Sequence, residues 1–182
     1  SGNGNASTAY ELGSGSTIQA YAGICSTQDL QPHSDDYFHT VSLNEMSAYI
    51  TGGGACSSNA ANGNTIPTLP ALTSYTNVPV STTFTLTAPT ATDPNGDTLT
   101  YAWEDYNTGT ACRFRPKAPT TSPSRTFGNV ANPTSGNIAW ETLPTAASTK
   151  TFRCTVRDNR AGGGAYTSSS MTVAFVAGAF SV

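Results

Sequence analysis

Ala91-Thr92-Asp93-Pro94-Asn95-Gly96-Asp97-Thr98-Leu99-Thr100-Tyr101-Ala102-Trp103-Glu104 is the stretch on which the reading of this chain turns. Its first half collects turn formers: proline presets a backbone angle, glycine accepts a positive one, and Asp and Asn bond to nearby amides. Its second half alternates, with Leu99, Tyr101 and Trp103 set against Thr98, Thr100 and Ala102, as in a strand with one buried face. The same alternation recurs at Phe84, Leu86 and Ala88, at Phe152, Cys154 and Val156, and at Met171, Val173 and Phe175. Turn-rich segments at residues 116–123, 129–136 and 158–164 separate these runs. Short strands of this kind, with a Trp in the second of these runs, predict an immunoglobulin-like β-sandwich over residues 72–182. Trp103 and Trp140 are expected in its core.

Upstream the pattern changes. Residues 63–71 read as a linker, at the end of a stretch rich in Asn, Ala, Gly, Thr and Pro with no apolar period. Residues 1–62 read as a small separate region. Within it Ser42-Leu43-Asn44-Glu45 has the form of a capping box, with Ser42 accepting from first-turn amides and Glu45 reaching back. The helix it predicts carries Leu43, Met46, Ala48, Tyr49 and Ile50 and stops at Gly52-Gly53-Gly54. At about nine residues such a helix is too short to stand alone. The fold class predicted is therefore mainly β, a sandwich preceded by a small disulfide-bonded region with one short helix.

Composition narrows the setting. The chain has 182 residues, a net charge of −3 and only eight Lys and Arg, none in a run, which excludes a basic nucleic-acid surface. Thr, Ser, Asn and Gly dominate, and such residues favour strands, turns and loops over long helices. The bulk reading is a soluble, extracellular, β-rich protein. The longest apolar run, residues 173–180, is too short for a membrane span. Ser1-Gly2-Asn3-Gly4-Asn5 does not open as a signal peptide, so an export signal is expected upstream.

Four cysteines, Cys25, Cys56, Cys112 and Cys154, are an even number with no Cys-x-x-Cys pair, which favours disulfides over a zinc ribbon. Three pairings are open. The most local one, Cys25 with Cys56 and Cys112 with Cys154, keeps each bridge inside one region and is the expectation, against free buried thiols.

Two groups of candidate ligands stand out. His33 and His39 flank Asp35 and Asp36, but they lie in a loop with no third ligand placed to complete a zinc site, and they read as structural or surface histidines. Asp93, Asn95 and Asp97, joined by Asp158 from a later loop, offer the hard oxygens that suit calcium. An Asx-stabilised turn is the preferred account of the same residues. No catalytic set is identifiable.

Gly13-Ser14-Gly15-Ser16-Thr17-Ile18-Gln19-Ala20-Tyr21-Ala22-Gly23-Ile24-Cys25 resembles the segment after the zinc-binding helix in bacterial reprolysin-like metallopeptidases, a branch of the metzincins. In that family a Met turns beneath the metal at the position of Gln19. Tyr37-Phe38-His39-Thr40-Val41-Ser42 resembles the end of the same catalytic domain. Residues 91–104, as a second-to-third-strand hairpin, together with 120–127 and 152–164, resemble the PKD- or cadherin-like module that follows it. The metzincin zinc motif His-Glu-x-x-His-x-x-Gly-x-x-His is absent, since the chain holds only two histidines.

The resemblance implies a non-catalytic C-terminal portion of a secreted reprolysin-like zinc metallopeptidase. Zinc is expected only in the full-length parent, with no cofactor here beyond the candidate calcium. The alternative is an independent extracellular structural or adhesive protein, self-assembling through strand edges. Partners are then the rest of the parent or other copies of the chain. Either way Ile18, Tyr21, Ile24, Met46 and Ile50 need a surface to cover them, on the second region or on a partner.

Overall fold

The computed structural model describes residues 5–54, 58, 60–128 and 141–178. Among these residues one helix, α1 (Thr40–Gly52), and six strands follow in order: β1 (Tyr75–Pro79), β2 (Phe84–Thr87), β3 (Thr100–Asp105), β4 (Ser124–Phe127), β5 (Ser148–Arg157) and β6 (Tyr166–Val176). Four strands make one sheet in the order β1-β6-β5-β3, in which β1 runs parallel to β6 and the other pairs are antiparallel. The remaining two, β2 and β4, form an antiparallel ribbon. The four alternating runs of the sequence are β2, β3, β5 and β6.

Period-2 alternation explains which face of each strand is covered. Tyr101 and Trp103 of β3, Phe152, Cys154 and Val156 of β5, and Met171, Val173 and Phe175 of β6 share the core face of the large sheet. The ribbon lays Phe84, Leu86 and Phe127 onto them. Phe84 stacks on Phe127 with ring centres 5.1 Å apart, and Phe127 meets Phe152 edge-on at 4.8 Å. Phe114, from the connection between β3 and β4, closes the group. Edge-to-face aromatic pairs of this kind add to the stabilisation given by burial alone.

The expected immunoglobulin-like sandwich is corrected by this topology. Among the described residues the second layer is a two-stranded ribbon, the sheets stay open, and β1 joins in parallel. Nor does the turn at residues 93–97 make a hairpin: it leads from the ribbon to the large sheet, because β2 pairs with β4 and β3 pairs with β5. Alternation fixes a strand's buried face but not its neighbour, which is why the pairing escaped the sequence.

The disulfide expectation is corrected as well. Cys25, Cys112 and Cys154 are free, and Cys56 lies outside the described residues. Cys154 points into the core opposite Trp103. Cys112 sits beyond β3, after the short 3-10 turn at Gly109–Ala111, and its thiol donates to the Tyr10 carbonyl at 3.2 Å. Burial pushes both thiols up to about 12. The turn at residues 129–136 and Trp140 also lie outside the described residues. Trp103 is buried, as expected.

Helix α1 is longer than expected and starts earlier. Its N-cap is His39, whose Nδ1 accepts from Val41 N at 3.2 Å, and Ser42 lies inside the first turn. A residue distant in sequence supplies the other half of the cap. Glu104 of β3 accepts from Thr40 N through both carboxylate oxygens, each at 3.2 Å. The end is as read: the amides of Gly53 and Gly54 both donate to the Tyr49 carbonyl.

Residues 5–39 hold no strand, only loops and a 3-10 turn at Ser26–Gln28. The region nevertheless packs in cis on the face of the large sheet opposite the ribbon. Glu104, Arg157 and Tyr166, all on that face, reach Thr40 N, the Phe38 carbonyl and the side chains of Ser47 and Asn44. Its partner surface is therefore the second region of the same chain. Ile18, Tyr21, Ile24, Tyr49 and Ile50 remain exposed all the same.

Candidate functional site

Glu11 builds the most ordered part of the N-terminal region. Its carboxylate accepts from Ser16 N at 2.8 Å, Thr17 N at 3.1 Å and the Thr17 hydroxyl. Ser16 and Thr17 are wholly buried, so these donors have no access to solvent water in exchange. The turn they form needs Gly15, at φ +69°, where a Cβ would lie 2.6 Å from the Ala20 Cβ. Gly23, at φ +84°, faces the Pro32 carbonyl so closely that a Cβ would lie 2.1 Å from it. Asp29 accepts from Gly23 N and Cys25 N, and Ser14 ties the turn to Gln28 and Leu30. Hydrogen bonds to the half-buried carboxylates of Glu11 and Asp29 and to the buried Ser14 hydroxyl thus do the work expected of a disulfide.

This scaffold frames a cavity of about 990 Å³. The turn with Gln19 forms one wall, α1 with His39, Glu45 and Met46 forms another, and Tyr10, Glu11 and Tyr21 line the rest. Gln19, which the sequence resemblance sets at the place of the family's Met, is exposed toward it. Apolar Ile24 and Tyr21 stand at the same opening.

Beneath the start of α1 lies a polar cluster that the sequence did not reveal. Glu104 is fully buried, with His39 Nε2 3.9 Å from its Oε1. Burial pushes Glu104 up to about 8, against the pull of Arg157 and the Thr40 amide. Burial, helped by Arg157 and Arg153, pushes His39 down to about 4. Tyr37 is raised by burial and by the Glu104 charge. His39 Nε2, Tyr37 OH, Thr40 Oγ1, Thr155 Oγ1 and Arg157 Nη1 have no hydrogen-bond partner among the described residues. Glu104 alternates with Trp103 and so reads from sequence as solvent-facing. Only the docking of residues 5–52 over it makes it interior.

The two histidines of the loop go to different places. His33 is exposed, its carbonyl accepting from the Gln31 side chain, whereas His39 is buried as a helix cap. The candidate calcium oxygens are brought near one end of the molecule, and most have internal donors. Asp93 Oδ1 accepts from Asn95 N and Asp97 N, which is an Asx-stabilised turn. Asn95 Oδ1 accepts from Thr65 N, and Asp97 pairs with Arg160 at 3.2 Å. Asp158 closes the β5–β6 loop by accepting from Arg160 N, Ala165 N and Asn64. Burial raises Asp158, but these hydrogen bonds outweigh it and hold the carboxyl below its usual range. Among the described residues, no three His, Cys, Asp or Glu side chains are grouped to hold a metal ion. Nor is any described helix long and apolar enough to cross a membrane.

Comparison with known proteins adds little to this geometry. No family model matches the sequence, and no curated protein does. The metallopeptidase likeness is accordingly not shown by any relative; it rests on the resemblances of residues 13–25 and 37–42, followed in order by those of 91–104, 120–127 and 152–164. A solved structure that does match is a nucleoside hydrolase-related hypothetical protein from Saccharophagus degradans, associated with carbohydrate metabolism. It matches at 19% identity and a TM-score of 0.40, over 62% of this chain and 26% of that one. The chain thus spans about a quarter of the solved protein's length, at a similarity that supports no functional argument.

Proposed function

We propose that the chain is a non-catalytic, extracellular C-terminal portion of a larger zinc metallopeptidase of the reprolysin-like kind, with the zinc-binding helix supplied by sequence outside it. The observation that carries this reading is the turn at Gln19. It is rigidly built from Glu11, Gly15 and two buried hydroxyl residues, yet Gln19 at its tip is exposed and lines an open cavity. A turn so constrained fits a role as a platform for something seated above it. In the parent, zinc-bound water would act as the nucleophile in peptide hydrolysis. This chain would contribute the floor of that site and no ligand.

The exposed Ile18, Tyr21 and Ile24 around the same opening would also suit self-association, the structural alternative, and the oligomeric state distinguishes the two. For the leading reading, the purified chain is expected to hydrolyse no peptide, with or without added zinc, and to retain no stoichiometric zinc by elemental analysis at neutral pH. Peptide hydrolysis that disappears on chelation would overturn it.

A further inference from the structure

We infer that Glu104 is a proton-operated clamp, holding the N-terminal region on the large sheet in mildly acidic to neutral solution and releasing it as the solution becomes alkaline. The inference rests on placement. Glu104 belongs to the sheet, has no exposed surface, and receives both its hydrogen bonds from Thr40, the first residue of α1. It is therefore a joint between two layers that also meet through Arg157 on the Phe38 carbonyl and Tyr166 on α1, while Ala9, Tyr10 and Gln31 bond to Gly109, Cys112 and Arg115 of the β3–β4 connection. The charged and titratable groups around it come from every neighbouring element: His39, Tyr37 and Glu11 from the N-terminal region, Arg153, Cys154 and Arg157 from β5, and Arg125 from β4. Five polar atoms at the same junction lack hydrogen-bond partners among the described residues. A buried junction with so few compensating bonds tolerates an added charge poorly.

The sign follows from linkage. Glu104 lies at about 8 in the folded chain against an ordinary 4.5, so its contribution is full below 4.5 and is lost as pH rises through 8. His39 lies at about 4 against an ordinary 6.5, so its contribution is full above 6.5 and is lost as pH falls through 4. The two trends oppose each other between 4.5 and 6.5, and above 6.5 only that of Glu104 remains. Tyr37 is raised well above this window, and Cys154 to about 12, so neither of these neighbours titrates within it.

Amide exchange of the whole chain, corrected for the intrinsic pH dependence of exchange, tests this. Between about pH 6.5 and 8.5 the protection of α1 amides should fall roughly tenfold, while β5 and β6 amides keep theirs. In Glu104→Gln, which stays neutral, α1 protection should be level across the same range. Unchanged α1 protection in the wild type, an equal fall in β5 and β6, or an equal fall in E104Q would each overturn the clamp. If E104Q does not fold, the wild-type comparison of α1 with β5 and β6 still decides the matter.

Discussion

Replacing Phe152 by Ala should lower the stability of the chain by about 3–5 kcal/mol, the range for truncating a fully buried aromatic. Phe152 has no exposed surface and sits where the two sheets meet. Its ring lies 4.8 Å from Phe127 and 5.6 Å from Phe84, both on the ribbon, and 5.9 Å from Phe114 on the connecting segment. No disulfide joins the described cysteines, and this aromatic contact fastens the ribbon to the large sheet together with hydrogen bonds from Trp103 Nε1 to the Pro123 carbonyl and from Arg125 to the Trp103 carbonyl. A loss of that size is a large part of the margin of an ordinary domain, about 5–15 kcal/mol. Urea denaturation should show a lower midpoint with an unchanged slope. A cost below about 1 kcal/mol would mean that the aromatic layer does not hold the two sheets together.

Glu11→Ala should have the second-largest effect, about 2–4 kcal/mol, because it strands two buried amides and a buried hydroxyl at once. Unlike the loss of Phe152, this one should be local. Exchange at the Ser16 and Thr17 amides should rise steeply, while the β5–β6 pairing stays protected. Glu11→Gln keeps an oxygen for one or two of the three donors and should recover part of the loss. Wild-type exchange at Ser16 and Thr17 in the alanine variant would show that the Gln19 turn is held by something other than Glu11.

Much of the strand content was legible because alternation is local. The residue after each turn formally belongs to one face or the other, and the core side chains of β2, β3, β5 and β6 were readable one run at a time. Strand order was not. The parallel docking of β1 on β6 and the pairing of β2 with β4 depend on long-range closure that no local pattern encodes. The two shortest strands to be missed, β1 and β4, carry little alternation: Thr76 and Asn77 of β1 are both exposed, and β4 buries fully only Phe127. The cysteine pairing failed for a related reason. Spacing allowed Cys112 to meet Cys154, but Cys112 falls in a loop beyond β3 and turns to the Tyr10 carbonyl.

At the candidate site the sequence marked Gln19 and the loop histidines but not the groups that organise them. Glu11 looks like one more acidic residue in a Gly- and Ser-rich stretch until the chain folds back onto it. Glu104 looks like the solvent side of a strand until a second layer covers it. His39 reads from the sequence as structural rather than metal-ligating, which suits a buried cap, though the sequence pattern gives the capping role to Ser42. Capping patterns are read from neighbours in sequence, and here the stronger acceptor comes from another layer.

On the proposed reading, the Gln19 turn is a platform for a catalytic piece encoded outside these 182 residues. Sequencing the reading frame upstream of Ser1 tests it most directly. The account predicts an in-frame His-Glu-x-x-His-x-x-Gly-x-x-His segment shortly before Ser1. A secretory signal peptide ending immediately before Ser1, with no such segment between, would contradict it and leave an independent structural protein.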